Sequence, residues 1–158
     1  MKYKLTNNTK VVEGVTLYQI QALVDFGNVS AGDLGGYVES GSNLSQLGNA
    51  WVYGNATVFG NAIVSDNARI YGNARISGDA IVLNNARGYN NARVSGDAIV
   101  LNNAIVYGNA TVFGNARIYD NARIYGNARI YDNARVCGDT FIHGYARIFG
   151  NAYVYENA

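Results

Sequence analysis

Residues 114–136 read GNARIYDNARIYGNARIYDNARV, nearly one six-letter word written four times. Six residues turn an α-helix through about 600°, so a residue type recurring every six positions winds around the cylinder and forms no single apolar stripe. Within the word, Ala and Val/Ile stand two apart, the spacing of side chains on one face of a strand. Gly-Asn or Asp-Asn then supplies residues that tolerate positive φ, as a bend requires. Each word is a short strand plus a corner.

The word runs without insertion from Gly48 to Tyr155, as eighteen consecutive hexads. Its third position is Ala in all but Thr140, and its fifth is Val or Ile in all but Gly88. Strands this short cannot bury a face alone, so they must stack. The stacking period is itself legible. GDAIVLNNA at 78–86 recurs at 96–104, 18 residues on, and YGNATVFGNA at 53–62 recurs at 107–116, three such periods on. Three hexads per coil predict an all-β, triangular parallel solenoid of about six coils, roughly 29 Å long at ~4.8 Å per rung. Val52, Ile70, Val106, Ile124 and Ile142 then share one inward column, and Tyr53, Tyr71, Tyr107 and Tyr125 one outward column.

Before the repeat, KYKLT, VTLYQIQALVDF and GGYVES are strand-like and separated by Gly, Asn and Ser. A β cap here covers the edge of the first coil, which otherwise invites pairing with other chains. Val38 and Leu44 are six apart, but Leu44 and Val52 are eight apart, so the first coil carries a two-residue irregularity within SQLGN. The chain divides into residues 1–47, cap and irregular first coil, and residues 48–158, the solenoid.

The Gly-Asn-Ala-x-Val/Ile-x hexads resemble the bacterial hexapeptide-repeat proteins, and that resemblance implies a left-handed parallel β-helix. VDFGNVSAGDLGGYVESGSNLSQLGNAWVY, residues 24–53, resembles the opening of the YdcK-like branch, a bacterial and prophage group labelled acetyltransferase-like. The hexads are specific for the fold and residues 24–53 for the branch; neither is specific for a reaction. The family also implies trimers packed side by side along the prisms; the unpaired strand edges of the final coil make end-to-end pairing the second expectation.

Composition narrows the partners. The net charge is +1, with three Lys and four acids in residues 1–47 and nine Arg and seven acids beyond. Such a balance gives no general attraction to nucleic acid or an anionic membrane. No segment reads as a membrane span, and the N-terminus lacks the apolar run of a signal peptide, so the expectation is a cytoplasmic protein. One cysteine, Cys137, excludes an intrachain disulfide framework.

The fourth and sixth positions of each hexad point outward, and sorting by three gives three faces. The first carries Tyr53, Tyr71, Tyr89, Tyr107, Tyr125 and His143 beside Trp51, Arg69, Arg87, Ile105, Arg123 and Phe141. Tyr71, Tyr89, Arg69 and Arg87 form a candidate surface for nucleotides or glycans, by ring stacking and charge. The competing reading is that rings stacked rung on rung simply stabilise the sheet. The second face carries Thr57, Phe59 and an arginine ladder including Arg75 and Arg93. The third collects Ile63, Ile81, Leu83, Ile99 and Leu101 into an aliphatic patch of the kind that marks an interface, unless the N-terminal segment folds over it.

Catalytic signals are sparse. His143 is the single histidine, so one chain cannot build a three-His metal site. Hexapeptide acyltransferases use a His base at a subunit cleft, with loops extruded from the coils around acetyl-CoA. No loop interrupts residues 48–155, and His143 stands where five other rungs have Tyr. Cys137 occupies an outward position and reads as an ordinary thiol. The expectation is therefore a structural or interaction module that forms homo-oligomers, with no cofactor, no metal and no assigned catalytic residue. The alternatives are a hexapeptide-class acyltransferase and the Tyr/Arg ligand surface.

Overall fold

The structure, a computed structural model, describes residues 1–156. Eighteen short strands, from Trp51–Val52 to Tyr153–Glu156, follow one another at six-residue intervals and form three parallel sheets. Each pairs with the strand 18 residues away: Arg69 faces Arg87, which faces Ile105, and Ile63, Ile81 and Ile99 lie side by side. The chain is a parallel β-solenoid of six regular coils above one irregular coil.

The repeat dictates its core. The third-position alanines and fifth-position Val/Ile residues from Ala50 to Val136 are buried, with the small Ala where the chain turns and the branched side chain in the flat. Burying one Val or Ile contributes about 1.5–3 kcal/mol. The corners also follow the word. Glycine at the first position takes φ of +69° in Gly72, where a Cβ would sit 2.9 Å from the backbone nitrogen of Asn90 in the next coil.

The irregular coil lies below. The N-terminal strands β1 (Tyr3–Val12) and β2 (Val15–Ala22) form a hairpin whose two-residue turn, Glu13-Gly14, has positive φ at both residues, as the twist of paired strands favours. Strand β2 pairs antiparallel with β3 (Leu34–Val38), and β3 pairs parallel with Thr57–Val58, so the hairpin extends one of the three sheets to nine strands. Val38 faces Val58 and Leu44 faces Val64, spacings of 20 that contain the two extra residues. Buried Asn43 stands in for part of a rung, donating to the carbonyls of Gly60 and Ala62 at 2.9 Å each.

Side chains of the hairpin satisfy carbonyls along the first coil. The Lys2 ammonium donates to Ala50 at 2.9 Å, the Tyr3 hydroxyl to Leu44 at 2.6 Å, and Lys10 to Asn55 at 3.0 Å. This N-terminal cover corrects three outward assignments. Trp51, Thr57 and Phe59 occupy outward positions of the repeat but are buried, Trp51 at 1% exposure beneath the edges of Tyr3 and Phe26. A fourth correction is at the other end. Cys137 is also outward in register yet only 4% exposed, with the Tyr153 hydroxyl 3.5 Å from its Sγ.

Candidate functional site

On the first face the outward rings form one column. Tyr71, Tyr89, Tyr107 and Tyr125 stack at 4.9–5.1 Å and within 11° of parallel, and His143 closes the column over Tyr125 at 5.3 Å. The geometry follows from the register, since a parallel sheet places identical residues of successive coils one strand spacing apart. Stacking of this kind occupies both faces of Tyr89 and Tyr107, so a base or sugar meets only ring edges and hydroxyls there. The arginines beside the column differ: Arg69 is half-buried, while Arg87 and Arg123 are exposed and Arg123 lies over the Phe141 ring at 5.4 Å.

The column breaks once, at its N-terminal end. Tyr53 stands edge-on to Tyr71, at 86° and 6.0 Å, with its hydroxyl donating to Asn28 Oδ1 at 3.0 Å. A cleft of about 320 Å³ opens there between Asn28, Tyr53, Arg69 and Tyr71. The structure thus brings Tyr71 and Arg69 into one site and leaves Tyr89 and Arg87 outside it.

A second feature runs along the corner between the third and first faces. There the first position is Asp66, Asn84, Asn102 and Asp120 in four successive coils, all with φ of 57–60°. Their side chains recover the cost of that conformation by bonding along the column: Asp66 accepts from the backbone and side chain of Asn84, and Asp120 from Asn102 and the backbone of Gly138. A parallel ladder links Asn49, Asn67, Asn85, Asn103, Asn121 and Asp139 through amide bonds of 2.8–3.3 Å. From Asn84 and Asn85 onward the two columns line an open polar groove of about 650 Å³ that reaches Glu156. Among the described residues no three His, Cys, Asp or Glu side chains converge as a metal site. Composition pointed to Tyr and Arg and missed this corner, although DNA and NNA in place of GNA at 18-residue intervals marked it.

The third face keeps its apolar character. Ile63 is 43% exposed, and Ile81, Leu83, Ile99 and Leu101 are partly exposed beside it. The N-terminal segment makes its contacts elsewhere, at Trp51, Tyr53 and the first corners. Further along this face Tyr119, Cys137 and Tyr153 form a cluster in which hydrogen bonds with Tyr153 and Cys137 hold the Tyr119 phenol above its usual range. On the second face, Arg75 pairs with Glu13 of the hairpin turn at 3.1 Å, an exposed contact of little energetic weight.

His143 is exposed and stacked, in register with the tyrosines it follows. No helix among the described residues is long and apolar enough to cross a membrane.

These features define the class: a parallel β-solenoid repeat protein with an 18-residue coil, closed at its N-terminal end by a hairpin. The family model described as the YdcK beta solenoid repeat matches residues 50–66, 68–84, 92–108, 104–119, 116–129 and 128–144, more than half of the chain. The protein belongs to the YdcK β-solenoid repeat family. A search of curated proteins gives no match.

Proposed function

We propose that this solenoid is a non-catalytic structural module that associates with further copies of itself through its third face. The observation that supports this reading is the run Ile63, Ile81 and Ile99, paired residue to residue across adjacent coils with Leu83 and Leu101 beside it. In the same register the second face presents Arg75 and Arg93 beyond the buried Thr57, and the first Arg69 and Arg87 beyond the buried Trp51. Three aligned aliphatic rungs on one side of a rigid prism form a continuous apolar surface, the composition of an interface core. A flat, repetitive face also suits a second copy, because two such faces meet rung for rung.

Replacing Ile81 and Ile99 with Lys tests the proposal. Both side chains point outward, so the core is untouched, and charges at the centre of the patch oppose association. The double variant is expected to run at lower mass than the native chain in light scattering, with the same circular dichroism. Equal masses for the two proteins contradict the reading.

A further inference from the structure

The ring column of the first face is regular from Tyr71 to His143, and its single break coincides with the loop that follows the hairpin. Phe26 of that loop is wedged against Trp51 at 5.3 Å, and Asn28, two residues on, holds the Tyr53 hydroxyl. Tyr53 is thereby turned out of the stack, and the space that its ring would fill becomes the cleft of about 320 Å³. That volume lies at the lower end of the range for small-molecule sites, and the cleft is shallow and open to solvent.

The lining is chemically mixed in a specific way. Tyr53 and Tyr71 supply aromatic surface, Asn28 supplies an amide whose N–H groups are not used by Tyr53, and Arg69, a half-buried residue, supplies a guanidinium. Among the described residues the one ion pair is Arg75 with Glu13, so Arg69 has no carboxylate at contact distance. Its charge acts within the cleft: burial pushes the Tyr53 phenol up, Arg69 and the hydrogen bond with Asn28 offset part of that shift, and the more distant Asp33 carboxylate adds to it. A guanidinium beside aromatic surface and without a salt-bridged carboxylate matches a ligand that brings both a ring and a negative charge.

We propose that this cleft binds a planar ring bearing an anionic group, an aromatic carboxylate or a nucleobase with its phosphate. The ring packs against Tyr53 and Tyr71, the anion pairs with Arg69, and Asn28 donates to an acceptor on the ring. The site lies on a different face from the aliphatic patch, so its existence does not depend on self-association.

Calorimetric titration of the full chain with 4-hydroxybenzoate, with AMP and with inorganic phosphate tests the site. At least one of the first two is expected to bind saturably, and which one distinguishes the carboxylate from the phosphate source. Phosphate alone is expected to bind about tenfold more weakly or worse, having no ring. Arg69→Gln is expected to weaken binding by about tenfold or more, the effect of losing a charge-assisted hydrogen bond. Asn28→Ala, which frees Tyr53 to fall onto Tyr71 and close the cleft, is expected to weaken it as well, whereas Arg129→Gln on the second face leaves it unchanged. The proposal is overturned if neither ring-bearing probe saturates by about 10 mM. It is equally overturned if binding is undiminished in Arg69→Gln or Asn28→Ala while circular dichroism shows the fold intact.

Discussion

Gly88 is the one residue that leaves its column without a side chain, and its neighbours have leaned into the space. A Cβ added there would lie 3.5 Å from Cδ1 of Ile70 and 3.8 Å from Cδ1 of Ile76, ordinary contact distances. The backbone is that of a regular strand, so glycine's freedom is not needed. Gly88→Ala is expected to stabilise by about 0.5–1 kcal/mol through reduced unfolded-state entropy, raising the melting temperature by roughly 1–4 °C. A lower melting temperature would show that the two isoleucines cannot accommodate even a methyl group. Val would have to displace both Cδ1 atoms and should gain less than an empty site would give.

Lys2 and Tyr3 contribute opposite slopes to the pH dependence of stability. Burial lowers the Lys2 ammonium to about 8 and raises the Tyr3 phenol to about 12. Between pH 8 and 10.5 the folded chain has released the Lys2 proton and the unfolded chain has not, so stability rises with pH across that window. Tyr3 has the opposite slope: its contribution is complete below pH 10 and is lost as pH climbs toward 12. Burial and the Arg75 charge lower Lys10 as well, adding to the same rise, so thermal melts should peak near pH 10 and Lys2→Met should reduce the rise below the peak. A flat profile from pH 8 to 10 in the native chain contradicts this assignment. Neither residue was legible as titratable in a special way, because only the fold brings Lys2 onto the carbonyls of Gly48 and Ala50.

At the scale of elements, the hexad determined nearly everything from Ala50 to Val136, because each position of the word has one environment wherever it recurs. The failures lie where a non-repeating element meets the repeat. Trp51, Thr57 and Phe59 obey the outward rule locally, and β1 to β3 then cover them; pattern reasoning had no register for those strands and could not place them. That covering leaves the Thr57 hydroxyl buried with no hydrogen-bond partner among the described residues. Thr57→Val keeps the shape and removes the unsatisfied group, so it is expected to stabilise by about 1–3 kcal/mol in denaturant unfolding. If the variant is less stable than the native chain, the hydroxyl has a partner in solution. The cleft was half legible for the same reason: Tyr71 and Arg69 fall out of the repeat, while Asn28 belongs to the loop that no period describes.

For the whole molecule, the two ends and the three faces are unequal. The N-terminal end is closed by the hairpin, whereas the last described coil leaves Ile148 and Val154 partly exposed and Phe149, Tyr153 and Tyr155 more so. Two faces carry arginine and tyrosine, and one carries isoleucine and leucine over three rungs. At about 25 cal/mol per Å², covering a few hundred Å² of that face supplies several kcal/mol toward association. The fold was legible in the sequence because a solenoid is specified locally and repeatedly. The proposed assembly has its basis only in which outward letters share a column, and a partner's identity leaves no periodic trace.

The most direct test is the mass of the native chain by light scattering as its concentration is raised. One chain has a mass of 17.0 kDa. Self-association through the third face predicts a mass that converges on a small multiple of this value, three chains if the prisms pack side by side around an axis. A mass that stays at that of one chain across the whole range contradicts it.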